Sequence, residues 1–244
     1  MWWRSCPPIS STTPFPASLG ADVQPLPLHE ENRWLPDLDA LQAMVTPATR
    51  LIALTNPNNP TGALIPPPML NRIAAIARAN DAWILCDEVY RGTDQDGNGM
   101  TASIADIYAR GISTASMSKA FSLAGLRLGW VAAPESLIRD IAHHRDYDTI
   151  SVGMIDDHFA TLALDHKAQV LARSQRITRG NLAVLSDWVA SEPRIDWIKP
   201  ASGTTALLKY DAAIPSRDLC VTLLRKTGVL LTPCLLYTSD AADD

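Results

Sequence analysis

Three short segments of this sequence carry residues whose types and spacing suit chemistry. The first is Ser116, Met117, Ser118 and Lys119, with Arg127 following in the stretch GLRLGW. A lysine amine flanked by hydroxyls suits a Schiff base to an aldehyde cofactor; the Ser116 hydroxyl and the planar fork of Arg127 suit a phosphate carried by that cofactor. The second is Asn56–Gly62 (NPNNPTG), dense in turn formers. Turn chemistry accounts for its prolines and for Gly62, but it does not require Asn59, whose amide can donate to the phenolate oxygen of a pyridoxal ring. The third is D-E-V-Y, in which the Asp87 carboxylate can keep a pyridine nitrogen protonated and Tyr90 can add a second bond at the phenolate. Taken singly, each segment also has a plainer reading: an exposed lysine with a solvated arginine, a rigid loop between strand and helix, and a helix-capping or surface acid.

The elements that must position these residues alternate along the chain. Asp37 can cap a helix whose apolar positions are Leu38, Leu41, Met44 and Val45, and Arg50–Thr55 (RLIALT) then reads as a buried strand. After Pro66–Pro68, the residues Met69, Leu70, Ile73, Ile76 and Ala77 form one helical face, and Ala82–Cys86 (AWILC) is a strand running into Asp87. Ile112–Met117 leads to Lys119 as a third strand, and Leu128–Ala133 is a fourth, closed by Pro134 and a helix from Glu135 to His144. This alternation predicts an α/β fold with a mostly parallel sheet and crossover helices. Ligands of such sheets sit beyond the carboxyl ends of the strands, where Asn59, Asp87 and Lys119 all fall. From Asp156 to about Ala190 the spacing of Leu162, Val170, Ile177, Leu182, Leu185 and Trp188 predicts long connecting helices. Beyond Pro193, Ile195–Ile198, Thr205–Tyr210, a helix over Ser216–Thr227 and Val229–Leu231 predict a small α+β unit.

Taken together, N-P-N-N-P-T-G, D-E-V-Y and S-M-S-K with its downstream G-L-R-L-G-W stand in an order and at separations that resemble the class I and II aminotransferases of pyridoxal-phosphate fold type I, from about Pro14 to Pro233. The resemblance implies a partial large cofactor-binding domain over residues 1–150, connecting helices over 151–190 and a partial small α+β domain over 191–233. It implies pyridoxal 5′-phosphate as cofactor, with Lys119 forming the internal aldimine and moving the proton between the substrate α-carbon and cofactor C4′. Asp87 would pair with the pyridinium nitrogen, Asn59 and Tyr90 with the ring oxygen, and Ser116, Ser118 and Arg127 with the phosphate. The implied reaction is amino-group transfer between an α-amino acid and a 2-oxo acid, in a full-length parent that is a homodimer. The stretch Arg145–Leu164 is similar to that of capreomycidine synthase-like relatives, so a pyridoxal-phosphate lyase or cyclase stands as an alternative, as does an inactive fragment of such an enzyme.

The sequence also departs from the family pattern. The N-terminal arm and the glycine-containing turn that supplies N–H groups to the phosphate have no counterpart, and the ring-stacking aromatic position falls on Ile9. Met1 to about Ser10 and the tail Cys234–Asp244 (CLLYTSDAADD) do not continue the pattern and are expected to be non-native ends of a truncated chain. No arginine can be assigned to the family's substrate-carboxylate clamp.

Composition narrows the rest. With 244 residues and 47% hydrophobic residues, the chain can bury one substantial core or two modest ones. A net charge of −5 without clustered Lys and Arg argues against nucleic acid as a partner. Cys6, Cys86, Cys220 and Cys234 form no C-x-x-C pair, which suggests neither a metal site nor a disulfide framework and fits a reducing cytoplasm. No apolar run approaches the roughly 18 residues of a spanning helix. Asp94, Asp96, Asn98 and Gly99 match the start of a calcium loop, but its twelfth position is Ala105 rather than Glu, so a polar surface loop is expected. His143 and His144 point to different helix faces, which suits helix C-terminal charge better than metal binding. Trp34, Trp83, Trp130, Trp188 and Trp197 are expected to pack, and Cys86 to be a small core residue.

Overall fold

Asp37 opens the central helical layer as expected: its carboxylate accepts from the backbone N–H groups of Asp39 (2.9 Å) and Ala40 (3.1 Å). The computed structural model describes residues 14–97 and 99–233. A short helix α1 (Pro14–Ser18) precedes the Asp37-capped α2 (Leu38–Met44). Strand β1 (Leu51–Thr55) follows, and α3 (Pro67–Ala79) carries the chain over to β2 (Trp83–Asp87). Prolines at its start suit α3, because the first helical N–H groups need no intrahelical acceptor. The single-turn α4 (Ile104–Ile107), capped by Ser103, leads into β3 (Gly111–Ser116), and β4 (Gly129–Ala132) completes a sheet of order β1-β2-β3-β4.

β1, β2 and β3 are parallel, whereas β4 runs antiparallel to β3. Between β3 and β4 lies only the 3₁₀ turn Ala124–Leu126, not a crossover helix, so the chain folds straight back. Asp87 is the last residue of β2 rather than the residue after it. The core forms where α3 covers the sheet: Leu70, Ile73, Ala74 and Ala77 pack with Ile52, Ile84, Cys86, Ile104 and Tyr108. Each fully buried Leu or Ile there contributes about 1.5–3 kcal/mol. Cys86 is thus the expected small core residue, and burial pushes its thiol well up.

Helices α5 (Glu135–Arg145), α6 (Met154–Asp165) and α7 (Lys167–Ser191) follow, the last two broken at His166. His143 and His144 stand in the last turn of α5. Ala160 and Ala163 of α6 close a second cluster with Met117, Phe121, Leu123, Leu126, Leu128 and Trp130. This cluster seats the loop that carries Lys119. Trp34 is buried, but Trp188 is 45% exposed on α7 and does not pack as expected. α7 buries only Leu171 and Ser174, so most of its length meets solvent.

The C-terminal unit has fewer strands than its sequence suggests. β5 (Ile195–Asp196) and β6 (Lys209–Tyr210) form a two-residue antiparallel pair, followed by α8 (Ser216–Thr227). Val229, Leu230 and Leu231 are exposed and form no strand, since among the described residues no neighbouring strand offers them a ladder. Residues 200–205 are drawn instead onto the large unit: Ala201 and Ser202 both donate backbone N–H groups to the carbonyl of Gly62, at 2.9 and 3.0 Å. Gly62 has φ +67°, and a Cβ there would stand 2.5 Å from Pro200 Cβ and 2.6 Å from the Ser202 carbonyl. Gly62→Ala should therefore destabilise the fold by roughly 2–4 kcal/mol in urea denaturation. A loss below about 0.5 kcal/mol would mean that this docking is not what holds the segment.

Candidate active site

β1 and β2 end level, and β3 runs on to Ser116, two residues past the shared row. Thr55 pairs with Asp87 and Asp87 with Thr114, and the ladder continues past the strands, with Asn56 N–H donating to the Asp87 carbonyl (2.9 Å) and Glu88 N–H to that of Thr114 (2.8 Å). The loops after β1, β2 and β3 therefore leave the sheet side by side, and they carry Asn59, Asp87 with Tyr90, and Lys119.

Internal bonds brace the first loop. The buried amide of Asn56 exchanges bonds with Ile65, accepting from its N–H at 2.8 Å and donating to its carbonyl at 3.4 Å. Thr61 Oγ1 donates to Asn58 Oδ1 at 2.7 Å. These contacts set Asn59, half-buried, at the tip, where Thr205 Oγ1 donates to its Oδ1 at 3.5 Å.

Asp87 is half-buried, and Oδ1 accepts from Val89 N–H at 3.0 Å. Among the described residues no donor reaches its other oxygen. Desolvation pushes its carboxyl above the ordinary 3.8, against the smaller opposing effect of the Val89 bond. Tyr90 is buried, and Lys119 Nζ lies 5.8 Å from the centre of its ring. Lys119 itself is exposed at the mouth of the site. Its loop is held by bonds from Leu123 N–H to the Met117 carbonyl (2.9 Å) and from Ser122 N–H to the Lys119 carbonyl (3.0 Å). Ser116 Oγ accepts from Ser118 N–H at 3.2 Å.

Arg127 lies in the left-handed region at φ 49°, exposed, with Nη1 donating to the Ala124 carbonyl at 3.0 Å. It makes no hydrogen bond to Ser116, although Ser116 pairs across the sheet with Gly129, two residues from it. The structure thus brings Lys119 and Tyr90 into contact and sets Asn59 and Asp87 on adjoining strand ends, while the Arg127 head turns to its own 3₁₀ turn. Position Ile9 lies outside the described residues, as do Asn98 and the tail from Cys234.

Two features were not anticipated from sequence. Glu88 is buried, its oxygens accepting from Ile104 N–H (2.7 Å) and Ser113 Oγ (2.8 Å), so that it ties α4 and β3 to the end of β2. The alternation of buried Ile84 and Cys86 already places residue 88 on the core face. The second is a correction: Asp94 does not belong to a polar surface loop but is buried, accepting from Ser202 Oγ at 2.8 Å. Thr93 Oγ1 donates to the Tyr90 carbonyl (2.6 Å) and accepts from Gly203 N–H (2.9 Å). Desolvation pushes the Asp94 carboxyl up, opposed by Ser202, Arg91 and Arg179. No local pattern could reveal bonds between residues more than a hundred positions apart.

An exposed amine, a carboxylate oxygen to which no described residue donates, an amide, a phenol, two serine hydroxyls and a guanidinium with spare N–H groups suit, in turn, an aldehyde, a protonated ring nitrogen, a ring oxygen and a phosphate. The residues fit pyridoxal 5′-phosphate.

Comparison with known proteins agrees with this geometry. Residues 16–240 match the family aminotransferase class I and II, and the chain belongs to it. It is similar to capreomycidine synthase of Streptomyces vinaceus, at 32% identity over 93% of this chain and 58% of that protein. Among solved structures it is similar to a PLP-dependent aminotransferase from Streptococcus suis, with 40% identity and a TM-score of 0.88 over 92% of this chain and 59% of that one. It is also similar to the PLP-dependent cyclase OrfR, with 27% identity and a TM-score of 0.85 over 95% and 63% of the two chains. The chain thus spans about three fifths of each relative's length. The fold is that of the fold type I PLP enzymes, and the cofactor is pyridoxal 5′-phosphate. Among the described residues no helix is long and apolar enough to cross a membrane, and no cluster of His, Cys, Asp or Glu could hold a metal ion.

The raised Asp87 carboxyl has a measurable consequence in cofactor-free protein. A carboxyl raised on folding adds stability that is fully present below its unfolded value and lost as pH rises through the folded one. Asp87→Asn, always neutral, should shrink that decline above pH 3.8 and raise Tm at neutral pH by on the order of 2 °C. Asp94, shifted in the same direction, keeps part of the slope. Unchanged pH dependence of the melting curves would contradict the desolvated state of Asp87.

Proposed function

We propose that this protein transfers an amino group between an α-amino acid and a 2-oxo acid, with Lys119 as the residue that carries the cofactor. The observation that supports it best is the placement of Lys119 Nζ over the Tyr90 ring, beside level strand ends that present Asp87 and the Asn59 loop. Bound pyridoxal 5′-phosphate supplies an aldehyde and a pyridine ring that accepts the electron pair released at the substrate α-carbon. Asp87 would hold the ring nitrogen protonated, and its desolvated carboxylate gains most from such a cationic partner. Asn59 and Tyr90 would donate to the ring oxygen, and Ser116, Ser118 and Arg127 to the phosphate. The freed amine of Lys119, exposed and on a short braced loop, would take the proton from the substrate α-carbon and return it to the cofactor side.

The same reading divides the chain into a cofactor-binding unit over 1–150, connecting helices over 151–190 and a small unit over 191–233. It makes the full-length protein a homodimer of amino-acid metabolism acting on small substrates. The free thiols of Cys86 and Cys220 suit a reducing cytoplasm.

A second reading has its own support in the similarity to capreomycidine synthase and to a PLP-dependent cyclase. There the same residues would serve elimination or ring closure on an amino acid, with no 2-oxo acid acceptor. One experiment separates the readings. The chain is treated with pyridoxal 5′-phosphate, the attachment is fixed with borohydride and mapped by peptide mass, and turnover of amino acids is followed with and without 2-oxo acids. Labelling of Lys119, loss of turnover by on the order of 10⁴-fold in Lys119→Ala, and a requirement for the 2-oxo acid are expected. Turnover without the acid favours the lyase or cyclase; folded protein that takes up no cofactor identifies an inactive fragment; labelling that persists in Lys119→Ala rules out this lysine.

A further inference from the structure

The turn Ser202–Thr205 borders both residues assigned above to the cofactor's ring oxygen. Thr205 Oγ1 reaches Asn59 Oδ1 at 3.5 Å, and a Cβ built on Gly203 would stand 4.0 Å from Tyr90 Cδ1. The turn is firmly held. Gly203 N–H donates to Thr93 Oγ1 (2.9 Å), Ser202 Oγ to Asp94 Oδ1 (2.8 Å), Gln95 N–H to the Ala201 carbonyl (2.9 Å) and Gln95 Nε2 to the Gly203 carbonyl (3.3 Å). Ser202 and Thr93 are fully buried, so water does not compete for these bonds.

An asparagine amide has one accepting end and one donating end, and only its NH₂ can serve a ring oxygen. Turned over, it would set Oδ1 against that oxygen, acceptor to acceptor. A hydroxyl donating to Oδ1 leaves the NH₂ end of Asn59 for that oxygen. We infer that Thr205 is a positioning residue for the cofactor, holding the Asn59 side chain in place while its NH₂ serves the ring oxygen. The inference rests on the role proposed for Asn59. At 3.5 Å the bond is a long one, so its effect is orientation rather than large stabilisation.

The test uses the full chain loaded with pyridoxal 5′-phosphate and reads the pH midpoint of the bound cofactor's visible absorbance. Donors at an oxygen favour its ionised form, so losing one raises the midpoint. Thr205→Val, which keeps the shape and loses the hydroxyl, should raise it by on the order of a few tenths of a pH unit, less than Asn59→Ala does; Thr205→Ser should leave it in place, and Thr205→Val should add nothing in an Asn59→Ala background. Thr205→Ala carries the same comparison if valine disturbs folding. A midpoint raised by Asn59→Ala but unmoved by Thr205→Val and Thr205→Ala overturns the role of Thr205 and leaves that of Asn59 standing. Equal shifts by Thr205→Val with and without Asn59 overturn it as well. A midpoint that Asn59→Ala does not move overturns both roles.

Discussion

Level parallel pairing of three strands is the constraint on which the rest of this structure depends. Thr55, Asp87 and Thr114 stand in one row across the sheet, and bonds beyond the row tie Asn56 to Asp87 and Glu88 to Thr114. Parallel strands all discharge their loops at the same edge, so residues separated by dozens of positions along the chain meet there. Moving one strand by a single residue would turn Asp87 toward the core and Glu88 toward the site. The buried bonds of Glu88 to Ile104 and Ser113 oppose that slip, because breaking them would leave polar groups unpaired in an apolar surround.

A second set of buried polar contacts joins the far end of the chain to this edge. Thr93, Asp94 and Gln95, shortly after Tyr90 in the chain, hold Ser202 and Gly203, while Gly62 holds Ala201 and Ser202. The candidate site residues therefore come from the strand ends, and bonds from a segment more than a hundred residues away reach them. Such contacts fix geometry better than apolar packing does, since each has few satisfactory arrangements. Asp87 stands apart from them with an oxygen that no protein group serves among the described residues, in surroundings that disfavour its charge. A carboxylate in that condition binds a cationic partner more tightly than one in water would.

Much of this was legible in the residues themselves. The Asp37 cap, the apolar face of α3 and the bounds of α8 follow from local capping and helical periodicity, which act within a few residues. The three motifs pointed to one edge of the sheet because Asn59 and Lys119 follow recognisable strands and Asp87 ends one. What escaped was non-local. Thr205–Tyr210 has the composition of a strand, yet only Lys209 and Tyr210 pair, and the residues just before the segment, Ala201–Gly203, bond to Gly62 and Thr93. Asp94 looked like part of a solvated loop for the same reason: its partner Ser202 lies far along the chain. The direction of β4 turned on the absence of a helix between Lys119 and Leu128, a distinction that the apolar pattern of the strand does not carry.

The most direct test of the account is a crystal structure of the chain grown with pyridoxal 5′-phosphate. The account predicts the cofactor beyond the carboxyl ends of β1, β2 and β3, joined to Lys119 Nζ, with Asp87 at the ring nitrogen and Asn59 and Tyr90 at the ring oxygen. A cofactor bound elsewhere on the fold, or at this edge with its ring nitrogen turned away from Asp87, would contradict it.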